Sequence, residues 1–385
     1  MENNSIGTNI REAQNLLEDF ANRTGVSGKE GDPAIRYLWT DAFAVQAFFG
    51  LHKIFEEEKY KNWALKLIDL VHEHLGKHHP QDEREGWISG LIAEKGQLHP
   101  TVGGLRIGKK LSERQNDESY NSQLEWERDG QYFHYLTRWI TALLQAKAET
   151  GESKYATYAA ELMLAAGKFV YQVGSAPSMY WKMNTELSRS LVASTGAHDP
   201  LEGLVCVKSI QAALPENMKE LDALGNQFRI MCEQQNWETS DSLGIGGLLL
   251  NTLRSALLAS EKISLPASIK PEKLLEESIS SFNMFSKVYN KNESARRRLA
   301  FRECGLSLGL HALLGMKDQI KAPNLQLGKL EAYQPLAREI ESFWLDSNHQ
   351  KSPTWNDHHD INAVSLASSL IAQEDAAAFS GIREK

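Results

Sequence analysis

The stretch "TDAFAVQAFFGLHKIFEEEKYKNWALKLIDLVHEHL", Thr40 to Leu75, decides the fold. In its first half Phe43, Ala47, Phe48 and Leu51 recur at i, i+4, i+5 and i+8. In its second half Ala64, Leu67, Ile68 and Val71 recur at i, i+3, i+4 and i+7. Both are spacings of one helical face. The charged run "EEEKYK" interrupts them, so the chain reads as a helical hairpin.

The design repeats. "GQYFHYLTRWITALLQAKAETGESKYATYAAELMLAAGKFVY" (Gly130 to Tyr171) is a second hairpin turning at "TGES". "DPLEGLVCVKSIQAAL" precedes "ENMKELDALGNQFRIMCEQQ", "SDSLGIGGLLLNTLRSALLAS" precedes "PEKLLEESISSFNMFSKVY", and "FRECGLSLGLHALLGM" precedes "LAREIESFWLD". The last helix, "DINAVSLASSLIAQ", pairs with the N-terminal "NIREAQNLLEDFANRT". The first helix of each pair is small or apolar on all sides (Gly246, Gly247, Gly305, Gly309, Ala363, Ala367), and the second carries a Lys- and Glu-rich face. A helix apolar all round is buried and an amphipathic one covers it. Six hairpins thus predict an all-α (α/α)6 toroid, with an inner and an outer ring, as a single domain over 1–385.

Composition narrows the function. Hydrophobic residues make up 42% and the net charge is −8, which disfavours nucleic acid as a partner because phosphate binding needs a basic face. Cys206, Cys232 and Cys304 are odd in number and form no CxxC pair, as expected in a reducing compartment. The N-terminus lacks a basic segment followed by an apolar one, and no apolar run reaches the ~18 residues of a membrane span. The expectation is a cytoplasmic protein with neither membrane nor nucleic-acid partner.

Each inner helix is preceded by polar and aromatic residues: "YLWTD" (37–41), "WERDG" (126–130), "STGAHDP" (194–200), "TSD" (239–241), "AFRE" (300–303) and "WNDHHD" (355–360). Parallel inner helices would gather these six segments at one end. Hairpins with such entrances resemble the six-hairpin glycosidase-like superfamily, which includes glycoside hydrolases and the N-acylglucosamine 2-epimerase family. "WNDHHDINAV" (Trp355 to Val364) is similar to the closing segment of the epimerases. The resemblance covers most of the chain and implies a carbohydrate substrate.

Candidate chemistry follows from residue type. Asp129, Asp199 and Glu202 are carboxylates at helix starts, where Asp also caps; a glycosidase needs one carboxyl as acid and one as base or nucleophile. Asp129 is the expected acid, with Asp199 or Glu202 as base. His198, His358 and His359 sit where an imidazole could move a proton, as an epimerase would require. Trp39, Trp126, Tyr132, Tyr180, Trp181 and Trp355 offer flat faces for a sugar ring, and Asp41, Arg128, His134, Lys182, Arg302 and Glu303 offer partners for its hydroxyls. The opening of the second hairpin, "LEWERDGQYFHYLTRW" (Leu124 to Trp139), then reads as one pocket wall.

"HEHLGKHHP" (72–80) invites a metal reading. It is expected to run off an outer helix into solvent and does not by itself supply the ligand geometry of a zinc site, so neither metal nor cofactor is expected. The long connection at about 78–124 reads as an ordered lid, with "GGLRIGKK" as a β-hairpin since it lacks the phosphate-loop pattern. Three functions stay open: a glycoside hydrolase, a sugar epimerase or isomerase, and a non-catalytic carbohydrate-binding toroid. A carboxylate pair, two histidines with an arginine, or neither would separate them.

Overall fold

A computed structural model describes residues 2–29, 31–214, 218–233, 235–322 and 324–382, with no description of the side chains of 2–6. Parts of the expected helix "ENMKELDALGNQFRIMCEQQ", at 216, 217 and 234, lie outside the described residues. Among the described residues there are twelve helices of at least twelve residues. They are α1 (Glu2–Arg23), α2 (Leu38–Phe55), α3 (Glu58–Leu75), α4 (Phe133–Thr150), α5 (Ser153–Ala166) and α6 (Asp199–Ala213). The chain continues with α7 (Lys219–Cys232), α8 (Ser242–Ser260), α9 (Pro271–Val288), α10 (Ala300–Gly315), α11 (Gln334–Leu345) and α12 (His359–Ala372).

The chain packs as two compact units, each built from separated segments. The first comprises 1–30, 43–64 and 234–385. Here α8 lies against α10 and α10 against α12, while α9, α11 and α1 cover them in turn. The inner contact is backbone on backbone. A Cβ on Gly246 would fall 2.1 Å from the Gly305 carbonyl oxygen, and one on Gly309 would fall 2.5 Å from that of Gly246. The apolar, glycine-bearing helices are therefore the buried ones, as their composition predicts, and α1, α9 and α11 turn a polar face outward.

The second unit comprises 31–42 and 65–233. It holds the hairpins α4–α5 and α6–α7, with α4 packed on α6. It also contains the few strands: β1 (Gln131–Tyr132), β2 (Val170–Val173), β3 (Ala176–Met179), β4 (Lys182–Met183) and β5 (Ser190–Val192). Strands β2 and β3 form an antiparallel hairpin, and β4 lies antiparallel between β1 and β5. Gly130 makes that second sheet possible. Its φ of +131° suits glycine, and a Cβ there would meet the Met183 carbonyl at 2.6 Å.

The "GGLRIGKK" segment is not a hairpin. It runs extended as a bridge: the Arg106 N–H donates to Leu75, Ile107 donates to Gly130, and the Ile107 carbonyl accepts from Leu38. Its backbone groups are satisfied by the end of α3, the entrance of α4 and the start of α2, so no second strand of its own is needed.

Candidate active site

The front of α4 is fixed by Gln131, whose buried amide reaches two other segments. Its Oε1 accepts from Leu105 N–H at 2.9 Å, and its Nε2 donates to the Gly103 and Thr185 carbonyls at 3.0 and 2.6 Å. The long connection is ordered by the same means. Arg84 reaches Asp82, Glu113 and Glu186, Glu113 accepts from the Thr185 N–H, and Arg189 donates to the Arg114 carbonyl.

On this frame stands the aromatic wall. Trp126 is 50% exposed and meets Trp181 edge-on at 4.9 Å. Trp181 lies 5.5 Å from Tyr132 and stacks on His134 at 6.1 Å. The Trp181 Nε1–H donates to His134 Nδ1 at 3.2 Å, so the imidazole carries its proton on Nε2. Tyr37 and Tyr135, which join hydroxyls at 2.6 Å, extend the wall; both lie in the segments expected to form it, though neither was named as a ligand contact. Tyr180 turns away and stacks on Tyr171 at 4.1 Å.

Below the wall lies a pair of carboxyls. Glu202 accepts from the Thr137 hydroxyl at 2.8 Å and is ion-paired with Arg138; neither partner was singled out in the sequence. Asp199, one turn earlier on α6, accepts from the Gly196 N–H at 3.2 Å. Burial, reinforced by the charge of Glu202, pushes the Asp199 carboxyl up to about 8. It is therefore protonated at neutral pH. His198, half-buried, sits just before α6 and its carbonyl accepts the Glu202 N–H.

Other expected site residues of this unit have structural work instead. Asp129 is 1% exposed, paired with Arg106 and capped by the Gly108 N–H at 3.0 Å. Arg106 in turn donates to the His74 and Lys77 carbonyls. That pair pins the connection to the end of α3, and with both carboxylate oxygens engaged Asp129 has a structural place here rather than the acid role expected of it. Lys182 is 0% exposed and donates to the Glu125 and Arg128 carbonyls; burial pulls its ammonium down to about 8. Its amine faces protein rather than a sugar. Asp41 is buried beside Arg36 and accepts from the Tyr37 N–H, and Trp39 is buried at the start of α2. Arg128 is held by Glu118 at the surface.

In the other unit, Arg302 pairs with Asp241 at 2.8 Å, and Asp241 also caps α8 through the Gly244 N–H. Phe301 separates Arg302 from exposed His358, with the guanidinium 5.9 Å and the imidazole 6.0 Å from its ring. His359 faces Trp355 and Asp360, so the two consecutive histidines do not converge. Glu303 is buried under Arg298 and accepts from the Trp344 Nε1–H, and Trp355 stacks on Trp344 in the core. For Glu303 and Trp355 the expected ligand contacts are corrected to packing, because their polar atoms or faces are already taken.

Among the described residues no group of three His, Cys, Asp or Glu side chains could hold a metal ion. His72 of "HEHLGKHHP" is buried and accepts from the Trp139 Nε1–H at 3.1 Å. Burial pulls the imidazole of His72 down to about 3 and that of His134 to about 4. Below ~6.5 the unfolded chain takes up protons that the folded chain refuses. The contribution of these two histidines to stability is thus full above ~6.5 and falls as pH drops toward those values. Urea unfolding should show a loss of about 1–2 kcal/mol per histidine between pH 7 and about 5, and His134→Gln should remove one share of it.

No protein-family model matches the chain, and no curated protein matches it. Solved structures do. Two structures of GH76A α-1,6-mannanase from Salegentibacter sp. HEL1_6 align over 96% of this chain and 99% of theirs, with TM-scores of 0.56 and 0.55 at 12% and 11% identity. One is an inactive variant with two consecutive aspartates replaced by asparagine, in complex with α-1,6-mannotriose. The likeness shows the fold alone: a mostly helical architecture built of helical hairpins. This chain has no two consecutive aspartates, so that pair has no direct counterpart in its sequence.

Proposed function

We propose that this protein is a glycoside hydrolase acting on a neutral oligosaccharide, with Asp199 as general acid and Glu202 as its charged partner and base. The observation that carries this reading is the carboxyl pair on one turn of α6, where Asp199 is held protonated at neutral pH and Glu202 is ion-paired. A carboxyl held neutral beside an ion-paired carboxylate divides the acid and base roles between them. Asp199 would protonate the glycosidic oxygen as the C–O bond breaks, and Glu202 would take a proton from the attacking water. The exposed Trp126 and the Trp181–Tyr132 rings would carry the sugar faces. The fold likeness to a mannanase seen with a bound trisaccharide supports the substrate class.

The burial of both carboxyls, 4% and 5% exposed, favours one other reading, a saccharide-binding protein without turnover. Incubation with α-1,6-mannotriose and other neutral oligosaccharides, followed by chromatography, separates them. Shorter saccharides are the expected products. Binding without products selects the second reading, and a product epimeric with its substrate overturns both.

A further inference from the structure

The second unit contains a cavity of about 410 Å³, away from the carboxyl pair, lined by the second half of α3, the start of α5 and the long connection. That volume falls in the range of small-molecule sites. Its floor is His72, 5% exposed. Because Trp139 can only donate, His72 Nε2 must accept, and the proton sits on Nδ1. That N–H has no acceptor among the described residues, on a ring that lines the cavity. An N–H on a cavity wall with a fixed tautomer can be met by an acceptor from outside the chain, water or a ligand.

The walls narrow the choice of ligand. Tyr158 stands edge-on to His72 at 5.4 Å, and Trp87 is held by Lys77 over its ring and by Gly96 against its pyrrole edge, where no Cβ would fit. The cavity lining carries two cations, Lys66 and Lys154, and two anions, Asp69 and Glu73. With a neutral imidazole the charges cancel, so neither an anionic nor a cationic ligand is favoured. Apolar ring faces with donors and acceptors at their edge suit a molecule that presents C–H faces and hydroxyls.

We infer that this cavity is a second, non-catalytic binding site for a neutral saccharide, a single ring or a chain end. It stands independently of whether Asp199 and Glu202 perform hydrolysis. The test is calorimetric titration of the full chain with α-1,6-mannotriose and maltotriose, and with glucuronate and glucosamine as charged controls. The parent and two variants are compared: Asp69→Ala/Lys154→Ala, which changes surface side chains only, and Asp199→Asn.

A neutral trisaccharide should bind, the double variant should weaken that binding at least about tenfold, and Asp199→Asn should leave it in place. Absence of binding by either neutral trisaccharide overturns the inference, as does tighter binding of a charged control or an unchanged affinity in the double variant. Binding lost only in Asp199→Asn also overturns it, while leaving the proposed active site standing.

Discussion

Replacing Asp199 by asparagine should lower kcat by about 100- to 10,000-fold, the usual contribution of a general acid. Asparagine retains the shape and can still accept from the Gly196 N–H, so the fold should persist. In the parent, kcat should decline above pH about 8, where Asp199 loses its proton. That alkaline limb should vanish in the variant. Glu202→Gln supplies a second reading of the same pair. Without the charge of Glu202, one of the two causes holding Asp199 up is gone, and the limb should move to lower pH.

Stability carries the same signature with a definite sign. Between the ordinary carboxyl value near 4 and about 8, folded Asp199 holds a proton that the unfolded chain has released. Stability must therefore fall as pH rises through that window, and Asp199→Asn should flatten the fall. A kcat profile that keeps its alkaline limb in Asp199→Asn would remove this residue from the acid role.

Asp129→Asn should instead cost folding. The change removes the anion from a buried pair and leaves the Arg106 guanidinium uncompensated, a class of substitution that costs about 3–5 kcal/mol. Urea unfolding should show the midpoint falling sharply, while kcat per folded molecule, with folded fraction measured in parallel, stays near the parent value. If the variant folds with parental stability and is inactive, the structural role of Asp129 is wrong.

The helices were legible because their periodicity is local: Ala64, Leu67, Ile68 and Val71 mark the buried face of α3 without reference to anything else. The glycine-rich character of α8 and α10 likewise announced a close approach. What the sequence hid is pairing across long separations. Arg106 and Asp129 are 23 positions apart, Arg138 and Glu202 are 64 apart, and Tyr37 and Tyr135 are 98 apart. An aspartate before a helix looks the same whether it caps, pairs or reacts, which is why Asp129 outranked Asp199. The extended path of Leu105–Gly108 was equally hidden, since its hydrogen-bond partners come from three other segments.

Packing between distant helices has a consequence for synthesis. Helix α1, which ends at Arg23, packs on α12, which begins at His359, so its apolar face waits for a helix made far later. Against the expectation that no stretch reaches a membrane span, the 19-residue α8 is by length and composition apolar enough to cross a bilayer, although 83% of its hydrophobic window is buried once folded. Its chief neighbour α10 begins 40 residues after α8 ends, about two to eight seconds later at ordinary translation rates. The segment 65–233 emerges whole before that interval opens. The nascent protein thus passes through a stage in which α8 is made and its chief neighbour is not, the stage at which chaperones would matter most.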